Sequence, residues 1–141
     1  MTLPILERPG QRAYPPRRSA LTGHFWDQLA AGRFVTTECA ACSRMTFPPK
    51  SFCPHCWSRE VRWRDVPTGG TIYTQTVVHI APAIFAHEAP YRLCIFDLDA
   101  GIRIATRLVD ADSDVMPGTR GELVALRYAD GPMFGVRPVR G

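Results

Sequence analysis

The second half of the chain carries the hydrophobic pattern of a β-protein. After Gly69, β-branched and aromatic residues recur in short runs, a composition that favours strands over helices. Connections rich in Gly, Asp and Pro separate these runs. The five predicted strands are Thr71–Ile80, Tyr91–Leu98, Ile102–Val109, Glu122–Tyr128 and Met133–Pro138. This pattern predicts a small barrel over residues 67–141, and the OB-fold, a five-stranded Greek-key barrel, is the natural candidate.

A single short helix is predicted ahead of the barrel, at residues 21–31. We expect Thr22 to be its N-cap and Gly32 to follow its C-terminus. A helix of this length is stable only when its apolar face docks on another part of the protein. The apolar residues that share one helical face are Leu21, Phe25, Trp26 and Leu29.

Residues 1–20 are rich in proline and arginine and show no apolar period. Such a composition buries too little apolar surface to hold a structure of its own, so we expect an extended arm that becomes ordered only against a neighbour. The chain has no run of roughly 20 apolar residues, the length that spans a bilayer, so we expect no membrane segment.

Four of the five cysteines form two pairs with C-x2-C spacing, separated by ten residues. Two such turns facing each other make a closed tetrahedral cage of four thiolates, which is typical of structural Zn²⁺. Iron is the alternative ion, because four thiolates also hold iron. The predicted ligands are Cys39, Cys42, Cys53 and Cys56.

The segment around these cysteines, residues 34–66, is too small to hold a hydrophobic core. Metal binding is expected to supply the missing folding free energy, about 10 kcal/mol for small zinc domains. Val61 and Trp63 alternate with Arg62 and Arg64, a pattern that predicts a strand exposed on one side. We therefore expect three parts: an arm at 1–20, a helix plus metal ribbon at 21–66, and a barrel at 67–141.

Two disulfides are the other use of paired cysteines, and two observations disfavour them. No apolar run near Met1 resembles a signal peptide, and Cys94 is left as an odd fifth thiol. We therefore expect a reducing compartment, the cytoplasm. Cys94 lies in an apolar run and is predicted to be a small buried side chain rather than a nucleophile.

A series of short motifs follows along the chain in a recognisable order. They are Phe25-Trp26-Asp27, Cys39-x-x-Cys42, Phe47-Pro48-Pro49, Cys53-Pro54-x-Cys56, Gly70-Thr71-Ile72-Tyr73, Val77-Val78-His79, Pro90-Tyr91, Leu98-Asp99-x-Gly101 and Pro117-Gly118. This order resembles the DUF35 family, in which a rubredoxin-like zinc ribbon is joined to an OB-fold. The resemblance covers residues 24–138.

The resemblance implies a non-catalytic accessory subunit of a thiolase-superfamily enzyme, which is a thiolase, an acyltransferase or an aldolase. It implies docking through the ribbon and barrel beside the partner's active-site mouth, and a part in binding or channelling acyl-CoA. The resemblance also implies that the family's metal ligands correspond, position by position, to the four paired cysteines of this chain. The family commonly has Gly after the second cysteine of each pair, where a positive φ is needed, whereas this chain has Ser43 and Trp57.

Two sets of residues are candidates for the partner or acyl-CoA surface. Arg62 and Arg64 share one face of the predicted ribbon strand and suit CoA phosphates or an acidic patch of the partner. Ile84 and Phe85 lie in the connection between the first two barrel strands, which is unusually apolar for a loop. We expect them to face the partner or an acyl chain.

The alternative function is nucleic-acid binding, which zinc ribbons and OB-folds also perform. Residues 1–66 carry a net charge of +5, but residues 67–141 carry −1, and the barrel aromatics are not interleaved with arginine as base stacking prefers. This placement disfavours nucleic acid. We expect no enzymatic activity, because the one adjacent acid/base pair, His87-Glu88, is expected to be solvated.

Overall fold

The computed structural model describes residues 2–111 and 114–139. It is mainly β. Its elements are β1 (Ile5–Glu7), α1 (Thr22–Ala30), β2 (Val35–Cys39), β3 (Met45–Thr46), β4 (Val61–Asp65), β5 (Gly69–Val78), a 3-10 helix (Ala83–Glu88), β6 (Tyr91–Leu98), β7 (Arg103–Leu108), β8 (Arg120–Tyr128) and β9 (Gly131–Pro138). The ribbon is a small sheet in the order β3-β2-β4.

The barrel consists of β5 to β9, in the closed order β5-β6-β7-β9-β8 and back to β5. Every pairing in it is antiparallel except the parallel pair β7 and β9. This is the Greek-key order of an OB-fold. The barrel interior is filled by fully buried side chains, which include Ile72, Phe96, Leu123 and Val136. The predicted fold class, a helix and a four-cysteine ribbon followed by a five-stranded OB barrel, is confirmed.

The first barrel strand differs from its predicted bounds at both ends. β5 begins at Gly69, because Gly69 and Gly70 pair with β8 rather than forming a turn. A side chain at Gly70 would collide with the carbonyl oxygen of Asp97 and the ring of Phe96, so glycine permits this close approach. β5 ends two residues earlier than predicted, and Ile80 is 94% exposed.

The N-terminal segment packs against the chain's own barrel. We had expected an extended arm that becomes ordered only against a neighbour. Residues Ile5–Glu7 form β1, which pairs in parallel with β8 of the chain's own barrel. Leu3 is buried in the core beside this strand. Arg12 then ties the segment to the β8–β9 turn: its backbone N–H donates to Asp130 Oδ1 at 2.8 Å, and its Nη2 donates to the Asp130 carbonyl at 2.8 Å.

The helix docks as its pattern predicts, but its cap differs. Phe25 and Leu29 are buried in the common core. Thr22 is the first helical residue rather than the N-cap, which is Leu21, and Ser19 in the preceding turn bonds back to Thr22. The Thr22 N–H donates to Ser19 Oγ at 3.0 Å while the Ser19 N–H donates to Thr22 Oγ1 at 2.8 Å, the reciprocal pattern of a capping box. Gly32 follows the helix with φ +82°, as predicted.

A cluster of four phenylalanine rings joins the helix, the ribbon and the barrel. The rings belong to Phe25 of α1, Phe34 before β2, Phe47 after β3 and Phe134 of β9. Their six centroid distances lie between 5.2 and 6.0 Å, within the range of favourable aromatic contacts. Phe34 is 1% exposed. The ribbon and barrel therefore share one core.

Candidate metal centre and docking surfaces

Two matching backbone turns position the four paired cysteines. In the first turn, the Cys39 N–H donates to the Arg44 carbonyl and the Ser43 N–H donates to the Cys39 carbonyl, both at 2.9 Å. In the second turn, Cys53 makes the corresponding bonds with Ser58 and Trp57, both at 2.8 Å. Each C-x2-C sequence thus curls back on itself, and each turn directs two sulfurs to the same point.

The sulfur positions fit one tetrahedral ion. The Sγ atoms of Cys39 and Cys56 lie 3.5 Å apart, those of Cys42 and Cys53 lie 3.6 Å apart, and all four lie within 4.8 Å of one another. A tetrahedral Zn²⁺ with sulfur ligands at about 2.3 Å requires sulfur–sulfur separations of about 3.8 Å. The four cysteines form no disulfide, and their sulfurs together could hold one metal ion.

Backbone amides prepare Cys39 for metal binding. The N–H groups of Cys42 and Ala41 donate to Cys39 Sγ at 3.4 and 3.3 Å, and they lower the pKa of this thiol to about 6. In the second turn, the His55 N–H donates to Cys53 Sγ at 3.4 Å in the same way. Cys94 has the opposite environment, because burial in the barrel raises its pKa to about 11. Cys94 is therefore a buried apolar side chain and a poor nucleophile.

The positions after the second cysteine of each pair have the backbone conformation that the family pattern requires. Ser43 has φ +64° and Trp57 has φ +66°, both in the left-handed region that favours glycine. The two substituted residues therefore keep the turn geometry.

The structure places Arg62 and Arg64 on β4, both reaching the same carboxylate. Arg62 Nη2 lies 3.2 Å and Arg64 Nε 3.3 Å from Glu38 Oε1 on the neighbouring strand β2. The arginine side chains remain about half exposed, at 52% and 49%, whereas Glu38 is 17% exposed. One carboxylate thus orients two guanidinium groups, and this face of the ribbon keeps a net positive charge.

The connection after β5 is the 3-10 helix, which carries Ile84 and Phe85. Ile84 is 45% exposed, whereas the half-buried ring of Phe85 packs toward the barrel, 6.3 Å from the Tyr91 ring. Arg107 anchors this helix: its guanidinium lies 3.8 Å from the Tyr91 ring centroid and 2.9 Å from Glu88 Oε2. Ile84 and Phe85 were predicted together as candidates for the partner or acyl-chain surface. In the structure Ile84 faces outward and Phe85 faces inward.

Sequence reasoning missed the anchoring role of Arg107 and mistook that of Glu88. We expected His87 and Glu88 to be a solvated pair, but the Glu88 side chain is 20% exposed and bound to Arg107. The sequence around Arg107 does not indicate a carboxylate partner, because Glu88 and Arg107 are nineteen residues apart. A cavity of about 270 Å³ lies beside this ion pair, lined by Phe85 of the 3-10 helix, by residues 12–14 of the N-terminal segment and by barrel residues that include Leu93, Ala105 and Phe134.

The structure defines a class of protein: a closed four-thiolate ribbon that shares a core with a five-stranded OB barrel. Two family descriptions match in the same order. "ChsH2, rubredoxin-like zinc ribbon domain" matches residues 26–62, and "ChsH2, C-terminal OB-fold domain" matches residues 63–126. The chain belongs to this DUF35 family of ChsH2-type proteins.

Three similar proteins illustrate the range of the family. A "DUF35 domain-containing scaffold protein" of Methanocaldococcus jannaschii is 33% identical over 72% of this chain and 74% of its own length. A "Probable enoyl-CoA hydratase alpha subunit" of Thermomonospora curvata is 38% identical over 64% of this chain but only 28% of its own length. A chain of the solved structure "Ltp2-ChsH2(DUF35) aldolase" is 28% identical, with a TM-score of 0.76, over 88% of this chain and 98% of that chain.

Among the described residues, no helix is both long and apolar enough to cross a bilayer.

Proposed function

We propose that this chain is a non-catalytic accessory subunit of a thiolase-superfamily enzyme. The observation that carries the proposal is the likeness to the aldolase structure, which extends over both modules and over 98% of the matched chain. The name of that structure joins a DUF35 chain to a second component, and the Methanocaldococcus relative is named a scaffold protein. A chain that carries this ribbon and this barrel fits the same role.

The ion we propose for the cage is Zn²⁺ in a structural role, held by Cys39, Cys42, Cys53 and Cys56. Four sulfurs complete its coordination, so the metal supplies folding free energy and offers no open position for chemistry. Metal analysis of the purified chain is expected to find one zinc per chain. If the purified protein instead has the colour of an iron–thiolate centre, the bound ion is iron and not zinc. Five cysteines without a disulfide suit a reducing compartment, and we propose the cytoplasm.

The proposed docking surface has a charged part and an apolar part. Arg62 and Arg64 on the ribbon would meet acidic groups of the partner or the phosphates of CoA, because Glu38 neutralises only one of the two charges. Ile84 on the 3-10 helix would contribute an apolar contact.

The cavity behind Phe85 is proposed to accept part of an acyl chain. Its lining is mostly apolar, with Leu93, Ala105 and Phe134 on the barrel side. Its volume, about 270 Å³, is too small for a whole acyl-CoA molecule, whose nucleotide would remain outside. The cavity therefore supports a part in channelling the acyl group rather than holding the complete thioester.

Co-expression with a thiolase-like subunit from the same organism tests the proposal. We expect both polypeptides to purify together, and the complex to turn over an acyl-CoA that this chain alone leaves unchanged. Turnover of an acyl-CoA by the isolated chain would contradict the non-catalytic role. Separate elution of the two polypeptides at micromolar concentration would contradict the accessory role.

A further inference from the structure

Trp57 is an unusual residue at its position in the second metal turn. Its φ is +66°, a conformation that a bulky side chain disfavours, yet the side chain gains little burial in return because the residue is 75% exposed. Ser43 occupies the matching position of the first turn with φ +64° and makes the same backbone bond. The metal turn therefore does not itself require an aromatic side chain at this position.

The exposed indole is held in a fixed orientation. The Trp57 ring stacks on the ring of Phe52 with centroids 5.6 Å apart and an angle of 3° between their planes. Together with Ser51 and Arg59, the two rings line an open groove of about 460 Å³. A large exposed aromatic surface stacked on a second ring, with arginine beside it, is the composition of a binding hot spot.

The charge around this groove indicates the kind of molecule that it fits. Arg59 is exposed, and within residues 2–111 and 114–139 its guanidinium makes no ion pair. Lys50, which adjoins the lining residue Ser51 in the chain, is likewise without a carboxylate partner in the described part of the chain. The groove therefore complements an acidic surface.

The openness of the groove favours a protein over a small molecule. Small-molecule sites enclose most of their ligand, but this groove has four lining residues, and the largest of them, Trp57, is three-quarters exposed. We infer that the shelf formed by Phe52 and Trp57, with Arg59 beside it, is a recognition site for an acidic surface of the partner enzyme subunit. This inference rests on the proposed accessory function.

The test compares dissociation constants of the complex with the co-expressed thiolase-like subunit. Trp57→Gly removes the indole and places in the turn the residue that its φ favours, so the variant should keep its metal and its melting temperature. We expect its dissociation constant to rise about tenfold or more. Trp57→Phe should retain most of the affinity. Met116→Ser, which removes a side chain that is 74% exposed in the connection between β7 and β8, should leave the affinity unchanged.

Charge reversal provides a second, independent variant. Arg59→Glu should weaken the complex by about tenfold at low salt and by less at high salt, because the attraction is screened. If both Trp57→Gly and Arg59→Glu bind the partner within about twofold of the wild type, a spread that ordinary surface substitutions produce, the inference is overturned while the accessory function stands. Loss of the metal from Trp57→Gly would also overturn it, since the indole would then be structural.

Two further outcomes are distinguishable. If the wild-type chain itself binds no thiolase-like subunit, the proposed function fails and the recognition site fails with it. If Trp57→Gly weakens binding of a single-stranded oligonucleotide but not of the enzyme subunit, the shelf is a nucleic-acid site and the inference is wrong.

Discussion

Replacing Phe34 by alanine tests most directly whether the ribbon and the barrel share one core. Phe34 is 1% exposed and lies between the two modules, with its ring 5.3 Å from Phe25, 5.2 Å from Phe47 and 5.4 Å from Phe134. Phe34→Ala therefore removes a fully buried ring that contacts the helix, the ribbon and the barrel.

The magnitude follows from the burial of the ring. A fully buried Phe→Ala substitution costs about 3–5 kcal/mol, which combines the lost apolar transfer with the cavity left behind. This is a large fraction of the roughly 5–15 kcal/mol that stabilises an ordinary domain. At roughly 3–4 °C per kcal/mol for a chain of this size, the melting temperature should fall by about 10–20 °C.

Urea unfolding of the zinc-loaded protein measures this loss. Far-ultraviolet circular dichroism follows mainly the barrel, and release of zinc to a coloured chelator follows the ribbon. Both signals should move to lower urea together in Phe34→Ala, because one core supports both modules. Met116→Ala, at a site that is 74% exposed, is the matched control and should change the free energy of unfolding by less than about 0.5 kcal/mol.

A double-mutant cycle separates the shared core from a local effect. Phe34→Ala combined with Phe134→Ala should show a coupling free energy of about 0.5–1.5 kcal/mol, the range for aromatic pairs in contact. A loss below about 1 kcal/mol for Phe34→Ala, well under the range for a buried phenylalanine, would refute the reasoning. An identical urea midpoint for zinc release in the wild type and in Phe34→Ala would also refute it.

Three other substitutions test separate parts of the structure. Cys42→Ser should abolish stoichiometric zinc binding and unfold the ribbon, as shown by metal analysis and amide exchange, and a zinc-loaded variant would contradict the four-sulfur site. Gly70→Ala should lower the free energy of unfolding by about 1–3 kcal/mol or more through its collision with the Phe96 ring and the Asp97 carbonyl, and an unchanged urea midpoint would contradict that packing. The backbone N–H of Arg12 and the Arg12 guanidinium lower the pKa of Asp130, so this carboxylate stabilises the fold above its ordinary pKa and loses its contribution as pH falls through the lowered pKa. Asp130→Asn should therefore flatten the acid limb of the stability curve below about pH 4, and an identical acid limb in both proteins would count against the contact.

The parts of this fold that the sequence predicts are those whose signals are local. The spacing of the paired cysteines places two thiols on each turn, and the structure brings the four sulfurs within 4.8 Å. Runs of β-branched residues separated by Asp-Ala-Gly and Ala-Asp-Gly turns predict the barrel hairpins, and Gly101 and Gly131 both have positive φ there. Each of these signals depends on neighbours a few residues away.

The parts that sequence reasoning missed depend on distant partners. The three residues of β1 pair with residues 125–127 of β8. Because the strand is so short and its partner is so distant in the sequence, no local pattern predicts this pairing. Arg12 is tied to Asp130 across 118 residues, and Arg107 anchors the 3-10 helix through Glu88. From composition alone, Arg12 and Arg107 are expected to be solvated. Closure of the barrel brings them to Asp130 and Glu88.

Native mass spectrometry of the co-purified complex tests the central claim most directly, because it counts metal ions and subunits in the same particle. We expect particles that contain this chain together with a thiolase-like subunit, with one zinc ion for each copy of this chain. Particles that contain only this chain, or a complex whose mass leaves no room for the metal, would contradict it.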